Sequence, residues 1–334
     1  MYTLLWLKSG GCGGDSISLM NLDHPDLYTA LKMHDIKVAW FPSLSFESNG
    51  DVHDILNRFI RGEEKLDFLM VEGAVCDEDE DDKGKTYNVT FCGRPMKYWI
   101  IELAKRSSFT IAVGTCASFG GIIAAGSKNI NWMGLQYFRE KHGGLLGTNY
   151  RSSSGFPVIN IAGCPAHPDW IMETLAFITM GKFTLDNLDK YQRPALFYSK
   201  LAHHACPRNE YYEFKASAEE YGQQGCLFEN LGCKATQCES DCNERLWLGR
   251  TGSCTRGGFP CISCTSPVFP DGFLPFFETQ KIEDIPTTLP LDVPKAWYVG
   301  ISGMTKLACP KRLAVNATSF KKVDAEEVKE GKTE

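Results

Sequence analysis

Five short apolar runs lie in the first half of the chain, separated by stretches with helical periodicity. The runs are Thr3–Leu7, Val38–Phe41, Phe68–Val71, Thr110–Val113 and Val158–Ile161. The helical stretches are Asp51–Gly62, Met96–Arg106 and His167–Thr179. Continuous apolar strands that alternate with helices are typical of a parallel sheet covered on both faces. The pattern therefore predicts an α/β domain built on a parallel sheet.

The second half of the chain differs from the first. From about Gly181 it shows little periodicity and is rich in Cys, Gly, Pro and His. A region without a continuous apolar face needs other stabilisation, which metal clusters can supply. We therefore predict a domain over residues 1–180, an irregular domain of loops and helices over 181–320 and a flexible tail over 321–334.

Composition narrows the class of protein further. The net charge of −6 argues against nucleic acid as a main partner. No stretch is apolar enough to span a bilayer, and the start of the chain shows no export signal. We expect a cytoplasmic protein, with peripheral membrane association as an open alternative. In that compartment the 14 cysteines indicate metal sites rather than disulfides.

A first set of candidate ligands follows the predicted strands. Cys12 follows the first apolar run, Cys116 the fourth and Cys164 the fifth, so the sheet would bring them to one edge. Thiolates are the ligands of iron–sulfur clusters. Asp15, three residues after Cys12, is either a helix cap or a fourth ligand. Cys76, close after the third run, is the alternative fourth ligand.

A second set combines imidazole with thiolates. It consists of His203 or His204 together with Cys206, Cys226 and Cys233. One imidazole and three thiolates can close a four-iron cluster, and the neutral imidazole raises its potential. The alternative is a structural zinc site, which usually has tighter paired spacings.

A third set lies in a proline-flanked loop region and consists of Cys242, Cys254, Cys261 and Cys264. Three of these thiolates would hold a three-iron cluster, and Cys254 could complete a four-iron one. The remaining cysteines, Cys76, Cys92, Cys238 and Cys309, are by default packed or spare thiols.

The ordered motifs resemble the small subunit of nickel–iron hydrogenases over about residues 3 to 270. The motifs that carry the resemblance are the strand before Cys12, Val71-Glu72-Gly73, Gly114-Thr115-Cys116-Ala117-Ser118, Gly163-Cys164-Pro165, His203-x-x-Cys206-Pro207-Arg208, Cys226-Leu227-x-x-x-Leu231-Gly232-Cys233-Lys234 and Pro260-Cys261-Ile262-x-Cys264. The resemblance implies a flavodoxin-like first domain and a second domain that binds iron–sulfur clusters.

The family's roles are carried over by position. The first set would hold a proximal cluster, the third a medial cluster and the second a distal cluster, with His203 as its histidine. The resemblance implies that dihydrogen is oxidised on a separate large subunit with a nickel–iron centre, so this chain would carry no catalytic residue. Electrons would pass along the three clusters to an unidentified acceptor. We also expect a dimer of heterodimers.

Two departures from the usual family pattern refine these expectations. The usual C-x-x-C loop reads C-x-x-D here, with Asp15 in the last position. This resembles the actinobacterial-type hydrogenases, and that group implies activity in air and uptake of scarce dihydrogen. Cys254 stands where many relatives have proline, so we expect three 4Fe-4S clusters, with a 3Fe-4S medial cluster if Cys254 is not a ligand.

Two other functions remain as alternatives. An iron–sulfur subunit of another redox complex, such as a quinone reductase module, would share only the first domain. A binding protein stabilised by structural zinc would bind zinc in place of iron and would transfer no electrons.

Overall fold

The computed structural model describes residues 1–77, 89–126, 130–283, 285–322 and 324–330. The chain divides into two compact units. The first consists of Met1–Phe197 with Cys264–Gly272, and the second of Tyr198–Ser263 with Phe273–Glu334. The division falls after residue 197, whereas the sequence places the change at 180, and a short later segment returns to the first unit.

A five-stranded parallel sheet forms the centre of the first unit. Its strands are Tyr2–Lys8 (β1), Ile36–Trp40 (β2), Phe68–Glu72 (β3), Phe109–Val113 (β4) and Ile159–Ile161 (β5). Their spatial order is β5-β4-β3-β1-β2, with parallel pairing throughout. This is the flavodoxin-like order, in which ligands bind where the connections reverse between β1 and β3. The predicted α/β fold class is confirmed.

Seven helices belong to the part of the first unit that the structure describes before residue 180. They are Gly14–Met20 (α1), Leu27–Met33 (α2), Asn49–Arg61 (α3), Met96–Ala104 (α4), Gly114–Phe119 (α5), Gly121–Gly126 (α6) and Pro168–Thr179 (α7). Ser48 starts α3 with a reciprocal capping box to Asp51. His167 caps α7, and Pro168 occupies its first turn.

The side chains of β1 show why the sheet is covered on both faces. Successive strand residues point to opposite faces. Leu5 and Leu7 pack in the core that includes α3 and α4, whereas Leu4 and Trp6 line the opposite layer with residues of α1, α2 and α7. All four are buried, so the strand is apolar at consecutive positions.

Short elements complete the first unit and make up most of the second. The antiparallel pairs are Val75–Cys76 with Trp132–Met133, Thr90–Phe91 with Arg94–Pro95, Tyr137–Phe138 with Lys141–His142, and Lys281–Ile282 with Ile285–Pro286. The 3₁₀ turns are Leu185–Asn187, Ala235–Gln237 and Asp271–Phe273. The remaining helices are Ala195–Tyr198 (α8), Asn209–Glu213 (α9), Cys242–Arg245 (α10), Lys295–Leu307 (α11), Lys311–Ala317 (α12) and Ala325–Glu330 (α13).

The end of the chain is more ordered than the predicted flexible tail over 321–334. Helix α13 lies within it, and its Val328 is buried. Residues 323 and 331–334 lie outside the described residues. None of the helices that the structure describes has both the length and the apolar character needed to cross a bilayer.

Candidate metal centres

The first set comes together at the carboxyl edge of the sheet, as predicted. Cys12 follows β1, Cys116 lies on α5 directly after β4, and Cys164 follows β5. Cys116 and Cys164 are close enough to each other, to Cys12 and to Asp15 to influence each other's charge. The four side chains therefore form one cluster, although Cys12 and Cys164 are 152 positions apart in the sequence.

Asp15 lies inside this cluster rather than at its rim. Its carboxylate is buried, and Oδ1 accepts a hydrogen bond of 2.7 Å from the backbone N–H of Ala166. Gly114 has φ +82°, and a Cβ there would collide with the Asp15 carboxylate. Burial raises the pKa of Asp15 to about 7, with Ala166 opposing and nearby Glu72 adding to the rise. The side chain does not accept a hydrogen bond as the cap of α1, which favours the ligand interpretation.

Glu72, which the sequence analysis named only within the motif Val71-Glu72-Gly73 and gave no role, supports the first set. It ends β3 and is buried. Its carboxylate accepts hydrogen bonds from the N–H groups of Asp15 and Ser16, from the Ser16 hydroxyl and from Trp6 Nε1. Because it binds the first amides of α1, Glu72 fixes the backbone that carries Asp15. The sequence signals were its place at the end of an apolar run and its membership of the motif Val71-Glu72-Gly73.

Backbone amides point at the sulfur atoms of the first set. The Gly14 N–H donates to Cys12 Sγ at 3.3 Å, and amides at Ile122 and Ile123 lie against the Cys116 sulfur. A Cβ at Gly121 would come within 2.9 Å of that sulfur. Burial raises the pKa of Cys164 to about 12. A buried thiol of this kind is neutral until a metal displaces its proton.

Cys76, the alternative fourth ligand, lies on the short strand pair and is buried, with Trp132 as its strand partner. Asp15 lies close enough to Cys116 and Cys164 to influence their charge. The geometry favours Asp15.

The second set surrounds a common space in the second unit. A small cavity is lined by His203, Cys206, Cys226 and Cys233, together with apolar and polar neighbours. Neither ring nitrogen of His203 has a hydrogen-bond partner among the described residues, although both are buried. A buried imidazole without partners is costly unless a ligand satisfies it. This observation fits an iron–sulfur cluster held by one imidazole and three thiolates.

His204 is placed differently from His203. It is exposed, and its Nε2 lies 2.6 Å from Asp292 Oδ2. Asp292 Oδ2 is 3.8 Å from His203 Nε2, which is too far for a hydrogen bond. The structure therefore separates the two histidines that the residues alone left equivalent: His203 faces the thiols and His204 forms a surface ion pair.

Arg208 links the loops that carry the second set through hydrogen bonds. Its guanidinium donates to the carbonyl oxygens of Gln223 at 2.7 Å, Gly225 at 2.6 Å and Thr255 at 3.2 Å. These carbonyls lie next to Cys226 and Cys254 in the chain. A planar fork with several donors can hold three segments at once.

The third set contains one more thiol than predicted. Cys242, Cys254 and Cys261 all lie near Cys238, whose side chain hydrogen-bonds that of Cys261. Cys238, which we expected to be a packed or spare thiol, is buried beside them. Cys264 lies in the segment that belongs to the first unit, and its carbonyl accepts a hydrogen bond of 2.5 Å from Thr115 Oγ1.

The other two cysteines lie apart from the sets. Cys92 Sγ lies 3.3 Å from Asn49 Oδ1 in the first unit, and Cys309 Sγ lies near its neighbour's carbonyl, Pro310 O, at 3.6 Å.

Models of two protein families match different halves of the chain. The NADH ubiquinone oxidoreductase 20 kDa subunit model matches residues 12–178. The C-terminal model of the NiFe/NiFeSe hydrogenase small subunit matches residues 198–277. The first match corresponds to the quinone reductase alternative, which shares the first domain. The second match covers the part of the chain that distinguishes hydrogenases.

Comparisons with whole proteins give the same result. The F420 non-reducing hydrogenase II small subunit of Methanosarcina mazei is 34% identical over 82% of this chain and 75% of that relative. The periplasmic [NiFeSe] hydrogenase small subunit of Desulfomicrobium baculatum is 32% identical over 83% and 87%. The actinobacterial-type NiFe-hydrogenase from Ralstonia eutropha superposes with a TM-score of 0.74 at 29% identity, over 92% of this chain and 89% of that one.

The order of motifs, the flavodoxin-like sheet, the gathered thiols and these similarities agree, and the predicted resemblance is confirmed. The alternative of a binding protein stabilised by structural zinc lacks this support. The chain belongs to the small-subunit family of nickel–iron hydrogenases, whose members are the electron-transfer subunits and pair with a large subunit that holds the active site.

Proposed function

We propose that this chain holds three iron–sulfur clusters and conducts electrons from a nickel–iron large subunit to an acceptor. Such clusters, when bound, accept and release single electrons. The observation that carries the proposal is His203, whose two buried ring nitrogens have no hydrogen-bond partner among the described residues and which lines one cavity with three thiols.

Each of the three sets supplies the proposed ligands of one cluster. For the proximal cluster we propose Cys12, Asp15, Cys116 and Cys164, and for the distal cluster His203, Cys206, Cys226 and Cys233. For the medial cluster we propose Cys242, Cys254 and Cys261, with Cys264 as fourth ligand. Four donors in each set support three 4Fe-4S clusters. A cytoplasmic location and a dimer of heterodimers are part of the proposal on the basis of the sequence.

Exchanging His203 for alanine tests the electron path. In the complex with the large subunit, His203→Ala should reduce acceptor reduction by dihydrogen strongly, about tenfold or more, and leave hydrogen isotope exchange at the partner intact. The matched control is His204→Ala, which removes an exposed imidazole from the same loop and should leave both activities unchanged. Equal loss of both activities in His203→Ala would argue against the assignment.

The role of Asp15 has its own test. Carboxylate oxygen is a harder donor than thiolate and suits sulfide-bridged iron less well. We therefore expect Asp15→Cys to lower the potential of the proximal cluster and to change how the complex responds to oxygen. An electrochemical titration with a parallel assay in air measures both. If potential and oxygen response stay the same, Asp15 is not a ligand.

A further inference from the structure

Asn243 is a buried amide that directly follows Cys242 on α10. Its Nδ2 donates a hydrogen bond of 2.6 Å to the carbonyl oxygen of Ala202. Its Oδ1 accepts hydrogen bonds from the Ser253 hydroxyl at 2.5 Å and from the Thr255 hydroxyl at 2.9 Å. One side chain therefore joins three segments of the second unit.

The chemistry of these partners fixes the direction in which the amide points. A backbone carbonyl oxygen can only accept, so the NH₂ group of Asn243 must face Ala202. Oδ1 then faces the two hydroxyls, which use both of its lone pairs. Asn243 and Thr255 are both buried, and a buried donor that loses its acceptor is costly. The amide is therefore a strong link between its three segments.

Cys254 lies between the two residues whose hydroxyls bind Asn243. Cys254 itself is exposed, whereas Thr255 beside it is buried. Because an exposed residue is little restrained by packing, the position of its thiol depends on the hydrogen bonds of its loop. Those from Ser253 and Thr255 attach the loop to α10, which carries Cys242. Cys254 is also the thiol that decides between a four-iron and a three-iron medial cluster.

We propose that Asn243 is a positioning residue for the medial cluster, which keeps Cys254 beside Cys242 so that the cluster has four protein ligands. The inference rests on the proposed function, since it requires iron at the third set and Cys254 as a ligand. It extends that function by naming the group on which the iron content of the cluster depends.

Loss of the Asn243 amide should release Cys254 and leave the rest of its loop in place. The Arg208 guanidinium still donates to the Thr255 carbonyl at 3.2 Å, and the Phe259 N–H still donates to the Cys254 carbonyl at 2.9 Å. The loop therefore keeps its turn and its attachment to the second set, while its link to α10 is lost.

The test uses the complex of this chain with its large subunit, prepared without oxygen and then oxidised with ferricyanide. A 4Fe-4S cluster that lacks one protein ligand then releases one Fe²⁺, gives one electron to ferricyanide and becomes a 3Fe-4S cluster. Iron content and electron paramagnetic resonance are measured for wild type, Asn243→Ala and Cys254→Ala. Both variants should lose about one iron atom for each copy of this chain and gain a three-iron signal.

The other two clusters should be unaffected in both variants, so the proximal and distal signals should match those of wild type. When Asn243→Ala is combined with Cys254→Ala, the iron loss should be no greater than in Cys254→Ala alone. This follows because the amide acts through that thiol, and effects that share one cause do not add.

A further variant decides the question if Asn243→Ala does not assemble. Ser253→Ala combined with Thr255→Val removes both hydroxyl donors and leaves the Asn243 amide in place, and it should give the same three-iron signal. Asn230→Ala is the control for loss of an amide elsewhere in the second unit, where Nδ2 donates to the Ala218 carbonyl at 2.9 Å. It should keep the wild-type signals.

A four-iron medial cluster in any of the Asn243, Cys254 or hydroxyl variants would overturn the inference. A three-iron medial cluster in wild type before oxidation would overturn Cys254 as a ligand, and the inference with it. Wild-type complex without iron would overturn the proposed function itself. The last two results are seen in wild type and the first only in the variants, so the failures are distinguishable.

Discussion

The two units organise their candidate metal sites in opposite ways. In the first unit a regular sheet exists independently of the metal set, and the ligands are placed at its edge by the ends of β1, β4 and β5. In the second unit the described helices and turns are short up to residue 263, and four of the twelve described buried residues in its main core are cysteines. The core cluster between the sheet and helices α3 and α4 has none among its described buried residues. We therefore expect the first unit to keep its fold without a cluster and the second unit to need clusters in order to fold.

Removal of iron should distinguish the two units most clearly. Metal binding can contribute on the order of 10 kcal/mol to a small site, which is comparable to the whole stability of a domain. We expect chelation of the complex to abolish amide protection from residue 198 to 263 while β1, β3 and β4 remain protected. Hydrogen exchange with mass spectrometry measures this. Uniform loss or uniform retention of protection would contradict the contrast.

Substitution of Glu72 should affect the first unit alone. Glu72→Ala leaves four donors without their acceptor, two of them the first amides of α1. We expect a loss of about 3 kcal/mol or more in the free energy of opening β1 and β3. Exchange of their amides measures it.

The matched control for Glu72 is Glu63→Ala, which removes an exposed carboxylate paired with Arg61. It should leave the exchange of β1 and β3 unchanged. A similar loss in both variants would show that Glu72 does not act through the buried bonds.

The smallest effect should come from glycine substitution at the first set. Gly114 and Gly155 share φ +82°, but a Cβ at Gly155 would meet open space, whereas one at Gly114 would collide with Asp15. Both alanine variants are destabilised by backbone strain, because alanine rarely adopts this φ. Gly114→Ala should cost about 1 kcal/mol more, as over-packing does, and should disturb the proximal signal in magnetic resonance. Equal effects would place Asp15 away from Gly114.

The sequence predicted the sheet well because its strands are continuous apolar runs, which are buried on both faces. All five runs became strands of the sheet, within two residues at each end. The sequence also predicted that Cys12, Cys116 and Cys164 lie at the same edge of the sheet, because parallel strands end at one edge. The choice between His203 and His204 needed the structure, because adjacent residues of one loop differ only in where they point.

The contacts of Glu72 and Cys238 could not be predicted from the sequence, for a physical reason. Glu72 acts through hydrogen bonds to groups 56 to 66 residues away, and no local pattern encodes such a contact. Cys238 has no paired spacing with Cys261, and they meet only because their loops are joined by backbone hydrogen bonds. Local spacing identifies candidate ligands that share a motif, whereas the residues that support them are found only in the tertiary structure.

Iron analysis combined with a redox titration of the anaerobically purified complex tests the central claim most directly. The account predicts about twelve iron atoms for each copy of this chain, in three clusters that titrate separately in magnetic resonance. A folded complex that contained zinc in their place, or no iron at all, would contradict it.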